Sequence, residues 1–198
     1  MPRLSKASRI ACVLMLCAVA SVCLAAPQRQ SRQKAPAKAP AADPSLIDAQ
    51  GFRELLERHR GKPLLVNFWA TWCPPCHEEY PMVNELARQY VPRGLVVLGI
   101  SLDEDAEINL VRRFLARHKP VFPNYREKPG DQVAFAHAVS PKWKGTIPAT
   151  FFYSRDGREV ARRLGGSREE FERIIQAMIE TARSSSLSSE RTTRSSNR

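Results

Sequence analysis

Leu64-Leu65-Val66-Asn67-Phe68-Trp69-Ala70-Thr71-Trp72-Cys73-Pro74-Pro75-Cys76-His77 decides how this chain of 198 residues is read. The apolar run at its start follows Gly61-Lys62-Pro63 and has the length and composition of a strand buried on both faces. It delivers Cys73 to a segment of helical periodicity, so Cys73 and Cys76 stand at the start of a helix. Unpaired backbone N–H groups and the positive end of the helix dipole stabilise a thiolate there. Two intervening residues let the second sulfur, on the first turn, reach the first. The pair therefore predicts a disulfide that opens and closes through a mixed-disulfide intermediate. Cys73, expected to be the more exposed, is the candidate attacking sulfur, and Cys76 the resolving one. Pro75 suits a first helical turn, where its missing N–H would have had no partner. The same letters also spell C-x-x-C-H, in which both sulfurs would tether a haem and His77 would bind its iron.

Cysteine usage narrows the choice. Residues 1–26 read as an export signal or N-terminal anchor: Arg3, Lys6 and Arg9 precede the apolar stretch from Ile10 to Val22, and Cys23-Leu24-Ala25 offers a cleavage site after Ala25. Cys12, Cys17 and Cys23 lie inside that leader as small apolar residues, leaving Cys73 and Cys76 as the cysteines of the mature chain. A structural disulfide framework needs more cysteines at longer spacings. Export also sets the expected location, which is periplasmic or otherwise extracytoplasmic. A zinc site is disfavoured, since no His pair has ligand spacing beside the cysteine pair.

The net charge of +11 resembles a nucleic-acid signal until it is located. Residues 1–26, 27–45 and 183–198 each carry +3, which leaves +2 for 46–182. A nucleic-acid binder concentrates basic residues on a face of the folded domain, so this partner class is excluded. An anionic membrane surface suits basic arms better. Residues 27–45, rich in Ala, Pro and basic residues, read as a flexible linker, and 184–198 as a disordered basic Ser/Arg tail.

Between the arms, helical and strand patterns alternate. Leu46 to Arg58 predicts an amphipathic helix, Leu64 to Trp69 a strand, and His77 to Tyr90 a helix kinked at Pro81. Leu95 to Leu102 is a second buried strand, after which Asp103 is expected to cap a helix to His118. Proline interrupts Lys119 to Gly145, where a strand near Val121 to Tyr125 and a helix near Gln132 to Ala138 are expected. Ala149 to Tyr153 and Glu159 to Leu164 predict a hairpin around Arg155-Asp156-Gly157-Arg158. Arg168 to Arg183 is a final amphipathic helix. This order means an α/β fold, a central mixed sheet with helices on both faces.

Three segments carry a resemblance: Val66 to Pro81 (VNFWATWCPPCHEEYP), the strand LVVLGISLDED, and Gly145-Thr146-Ile147-Pro148-Ala149-Thr150 ahead of an apolar strand. Together they resemble the thioredoxin superfamily, and within it the exported TlpA/ResA-type proteins and their cytochrome-maturation relatives. The resemblance covers about residues 46–182 and implies a thioredoxin-like domain over residues 46–183, with a central insertion at Lys119–Gly145. It implies a redox-active Cys73–Cys76 disulfide, a cis bond at Ile147-Pro148 opposite the cysteines, and substrate contacts from Trp72, Pro74, Pro75, Ile147 and Pro148. Classical thioredoxin carries a buried acid where this chain has Asn67 and a buried lysine about where it has Gly99. The acid that TlpA/ResA-like proteins place three positions after the second cysteine is here Glu79, a candidate proton shuttle for Cys76.

The expected activity is protein thiol–disulfide exchange without a cofactor. Its implied direction is reduction of exported substrates such as apocytochrome c or copper-site proteins, with electrons from a membrane thiol donor. A thiol oxidase or isomerase of the same fold is the alternative, and a c-type haem protein a more distant one. A binding module that captures thiols without turnover is the non-enzymatic reading. Trp72 is expected to be exposed beside Cys73 and Trp69 to be core. His77 is expected to be solvated, and His59, His118 and His137 show no partner in the sequence.

Overall fold

A computed structural model describes residues 43–195, with side chains described up to residue 182. The leader, nearly all of the 27–45 linker and the last three residues of the tail lie outside the described residues. None of the described helices is long and apolar enough to cross a membrane.

Six strands form one mixed sheet: β1 (Ser45–Ile47), β2 (Leu64–Trp69), β3 (Val96–Ser101), β4 (Asn124–Glu127), β5 (Ala149–Tyr153) and β6 (Glu159–Arg163). Their spatial order is β1-β4-β3-β2-β5-β6, with the first four parallel and β5 and β6 antiparallel to their neighbours. The helices are α1 (Ala49–Arg58), α2 (Pro74–Tyr90), α3 (Ile108–His118), α4 (Gln132–Val139) and α5 (Arg168–Ser195). This is the mixed sheet that the alternating pattern predicts, in the thioredoxin-like arrangement that the resemblance implies.

Side chains on β2 alternate between the faces of the sheet, and that alternation places the site. Leu64, Val66 and Phe68 pack with Phe52 and Leu55 of α1 and Phe135 of α4. Leu65 and Trp69 pack on the opposite face with Tyr80 and Val83 of α2, Phe114 of α3 and Phe171 of α5. Asn67, between Leu65 and Trp69 in this alternation, is thereby turned toward α2. Burying each large side chain of these two cores stabilises the fold by about 1.5–3 kcal/mol before chain entropy is counted.

Several expectations are corrected at element ends. Leu46 and Ile47 belong to the edge strand β1 and not to a helix, because the Asp48 carboxylate accepts from Gly51 N at 2.9 Å and starts α1 only there. Asp103 does not cap α3. It is 2% exposed and faces inward, while a capping box between Glu104 and Glu107 opens a 3-10 turn ahead of the helix. The helix α2 begins at Pro74, earlier than the periodicity suggests, and continues through Pro81. The strand expected near Val121 lies a few residues later, at Asn124–Glu127. Finally, α5 runs on to Ser195 through most of the stretch whose composition predicts disorder. No Gly or Pro interrupts residues 168–195, and extending an existing helix avoids the cost of nucleation.

Candidate active site

Strand β2 ends at Trp69, and the short loop Ala70–Trp72 carries the chain to Cys73, the N-cap of α2. The Cys73 sulfur accepts from Cys76 N at 3.3 Å, the contact expected of a group placed at helix N–H donors. Cys73 and Cys76 are joined as a disulfide with Cα atoms 5.3 Å apart. Cys73 is 4% exposed and Cys76 1%, so in this oxidised state both sulfurs are buried. Cys73 is only marginally the more accessible, because its bond partner and the surrounding core close over it.

The loop is held from the neighbouring strand. Thr71 N donates to both Asp103 carboxylate oxygens at 3.0 and 3.1 Å, and the Thr71 hydroxyl donates to Asp103 as well. Ser101 Oγ, at the end of β3, donates to the same carboxylate at 2.6 Å. Asp103 thus fixes the segment carrying Trp72 and Cys73. His77 is half-buried and not freely solvated: its Nε2 lies 2.8 Å from Thr71 O and its ring meets Phe114 edge-on at 5.0 Å. That contact engages the ring nitrogen that a haem ligand would offer. His118 packs against Phe114 and Tyr80, so it too has neighbours that the sequence did not reveal.

One turn beyond Cys76, Glu79 enters the core at 8% exposure. Asn67 Nδ2 donates to Glu79 Oε1 at 2.9 Å and to Thr150 Oγ1 at 2.9 Å, and Thr150 Oγ1 donates to Glu79 Oε1 at 3.2 Å. Asn67 and Thr150 are register partners on β2 and β5 and face the same side of the sheet. Burial raises the Glu79 pKa, and the Thr150 and Asn67 hydrogen bonds only partly oppose it. Glu79 Oε2 and Asn67 Oδ1 are buried without a hydrogen-bond partner. A proton on the Glu79 carboxyl supplies a donor where two acceptors otherwise have none.

The absence of a lysine at position 99 also has a geometric reason. A Cβ on Gly99 would stand 2.1 Å from Asn124 Oδ1. That oxygen accepts from Tyr80 OH at 2.9 Å and Trp69 Nε1 at 3.2 Å. The space is filled by an amide that ties α2 and β2 to β4.

Trp72 is 55% exposed and Pro74 and Pro75 are exposed, so the rim around the disulfide is an accessible apolar surface. The Ile147-Pro148 bond is cis. Both residues are half-buried, and Ile147 packs against the core that contains the two cysteines. Trp69 is fully buried. Asn67, Thr150, Thr71 and Asp103 were not singled out as functional from sequence. The readable signal was a lone amide in an otherwise apolar strand and a threonine in its antiparallel neighbour. Among the described residues, no three His, Cys, Asp or Glu side chains converge to hold a metal ion.

Comparison with known proteins agrees with this geometry. Residues 37–162 match the model of the AhpC/TSA family. The chain is 34% identical over 140 residues to the thiol-disulfide oxidoreductase ResA of Geobacillus kaustophilus, covering 70% of this chain and 75% of that one. With the thiol-disulfide oxidoreductase ResA of Bacillus cereus it shares 31% identity over 132 residues, 66% of this chain and 72% of the relative. Among solved structures, a thioredoxin-family thiol:disulfide interchange protein from Chlorobium tepidum superposes with a TM-score of 0.54 at 27% identity, covering 62% of this chain and 83% of that one. A DsbE-like thiol:disulfide interchange protein from Chlorobium tepidum gives 0.54 at 25% identity, covering 63% and 84%.

Proposed function

The chain belongs to the AhpC/TSA family and is a thioredoxin-like thiol–disulfide oxidoreductase; on that premise we propose that it reduces disulfides of exported proteins. In the reduced enzyme the Cys73 thiolate, at the N-cap of α2, attacks a substrate disulfide and releases one substrate thiol. Cys76 then attacks Cys73 Sγ, releasing the second substrate thiol and leaving the Cys73–Cys76 disulfide. Glu79 receives the proton that Cys76 sheds. Two electrons pass to the substrate, and a thiol donor at the membrane returns the enzyme to its dithiol form.

The observation that carries this reading is the buried Glu79 carboxyl, held by Asn67 and Thr150 one turn beyond Cys76. Its raised pKa brings it closer to that of a thiol, which suits proton exchange with Cys76. The basic and apolar leader at residues 1–26 supports action outside the cytoplasm, with the domain tethered or released there. Apocytochrome c and copper-site proteins, whose cysteines must be reduced before they bind haem or metal, are the proposed substrates.

The reduction potential measured in glutathione and dithiothreitol buffers tests the direction. A value near or below that of thioredoxin, about −270 mV, agrees with a reductant, whereas one near about −120 mV belongs to an oxidase and overturns it. Cys76→Ser then holds the substrate on Cys73 for identification.

A further inference from the structure

A cleft of about 470 Å³ opens beside the disulfide. Trp72, which adjoins Cys73, lies at one side, and Gly145, two residues ahead of the Ile147-Pro148 bond, at another. Phe135 and Trp143 give it a buried aromatic floor. Glu127, the last residue of β4, lines this cleft and also the acidic groove beside Asp103 and Asp105 that continues from it.

Glu127 is 9% exposed, yet its carboxyl makes no hydrogen bond or ion pair among the described residues. The nearest cations in sequence are committed elsewhere. The guanidinium of Arg126 donates to Asp103 O and to the Asp105 carboxylate, and Lys128 Nζ is 3.6 Å from Asp48. Burial pushes the Glu127 pKa up to about 7. Glu127 is nine-tenths buried as a residue, and its unpartnered carboxyl lines the cleft, where an incoming group can complete it. The surroundings specify what fits. Aromatic walls accept the methylene stem of a long basic side chain and the face of Trp72 favours a nearby cation, while the carboxylate meets its charged head. An apolar side chain would leave the carboxyl unpaired, and an acidic one would meet like charge from Glu127; Lys144, also on the cleft wall, is exposed and forms no ion pair with Glu127.

We infer that Glu127 is a specificity residue of the exchange reaction, receiving a lysine or arginine side chain that lies close to the reactive disulfide in an extended segment of the substrate protein. This rests on the thiol–disulfide exchange reading above and adds to it the class of substrate.

The test uses the full chain, reduced, and peptides carrying a mixed disulfide on one cysteine, identical except for Lys, Gln or Glu at the three positions after it. In wild type the rate constant for the Lys peptide exceeds that for the Gln peptide about tenfold, the size expected of a charge-assisted contact in a partly closed site. In Glu127→Gln that ratio falls to about one. Because the readout is a ratio on one preparation, the fraction of folded protein does not enter it. Equal rates in wild type, a preference for Gln or Glu, or a ratio that survives the substitution overturns the inference. The neutral bis(2-hydroxyethyl) disulfide reports exchange itself. Failure of wild type on that compound and on every peptide alike sinks the exchange reading, and the inference with it.

Discussion

Asn67 Nδ2 donates to Glu79 Oε1 over 2.9 Å, so a neutral amide on the central strand holds a helix carboxyl inside the core, one turn beyond Cys76. Thr150 reaches the same oxygen from the neighbouring strand. Three elements therefore meet at one titrating group.

Glu79→Gln removes the proton acceptor while keeping the shape. The resolving step, Cys76 attacking the mixed disulfide, is expected to slow about 10²-fold. Its rate in wild type rises with pH through the raised Glu79 pKa, and the variant loses that rise. Acid-quench measurement of the mixed-disulfide lifetime between pH 5 and 9 checks both points, and an unchanged lifetime would remove Glu79 from the mechanism.

Asn67→Ala leaves Glu79 in place but deletes a hydrogen bond that lowers its pKa. The rising limb of the exchange rate should move to higher pH. Stability should fall by about 0.5–1.5 kcal/mol, the usual net worth of a hydrogen bond, because Thr150 still donates to the same Glu79 oxygen. Denaturant titration together with the pH–rate profile separates the two effects. A shift of the limb toward lower pH contradicts the assignment.

Asp103→Ala frees the loop that carries Trp72 and Cys73, since Thr71 loses both its backbone and its hydroxyl acceptor. Exchange with a protein disulfide is expected to drop about tenfold through lost positioning. Hydrogen exchange at Thr71 N should quicken in parallel. Protection retained at that amide would show that the loop is held by other means.

Glu127→Gln gives a pH-dependent gain in stability. The folded pKa of about 7 lies above the unfolded value of about 4.3, so the fold favours the protonated acid. Wild-type stability is fullest below about pH 4.3 and declines as pH rises through about 7, beyond which the loss is complete. The variant lacks this decline and should exceed wild type at pH 8 by on the order of 1–3 kcal/mol, with little difference at pH 4. Thermal melts at the two pH values decide it.

Gly99→Ala drives a Cβ into Asn124 Oδ1 at 2.1 Å and into Phe122 Cε2 at 3.1 Å. Asn124 is pinned by Tyr80 and Trp69, so it cannot swing aside without losing both contacts. A destabilisation of about 1–3 kcal/mol is expected by chemical denaturation.

The sheet and the cysteine pair were legible because their signals are local. An apolar run of six residues, a C-x-x-C at its end and a proline before a second apolar run each sit within a short window. Glu79 was legible only through resemblance, since nothing in its neighbourhood distinguishes it from Glu78, which the structure leaves exposed. The contacts of Asn67 with Thr150 and of Thr71 with Asp103 join residues 83 and 32 positions apart. Such pairings follow from strand register, which composition does not reveal. Asp103 was misread for the same reason: an acid after a strand looks like a helix cap until the loop from β2 is seen to use its oxygens. The Ser/Arg stretch reads as disordered from its low hydrophobicity, while α5, packed through Phe171, Ile175 and Met178, is drawn on to Ser195, since an existing helix can be extended by residues that would not start one.

The antiparallel pairing of β2 with β5 bears on how the protein reaches its working state. Cys73 and Cys76 are close neighbours along the chain, so their sulfurs can meet in a polypeptide that has not folded. Closing so small a ring restrains the unfolded chain little. The Asn67–Thr150 contact arises only after a loop of some eighty residues has closed. A newly made chain can therefore be oxidised before it has any control over that bond. On the proposed role of Glu79, maturation of this enzyme is the acquisition of proton control over a disulfide that needs no fold to form.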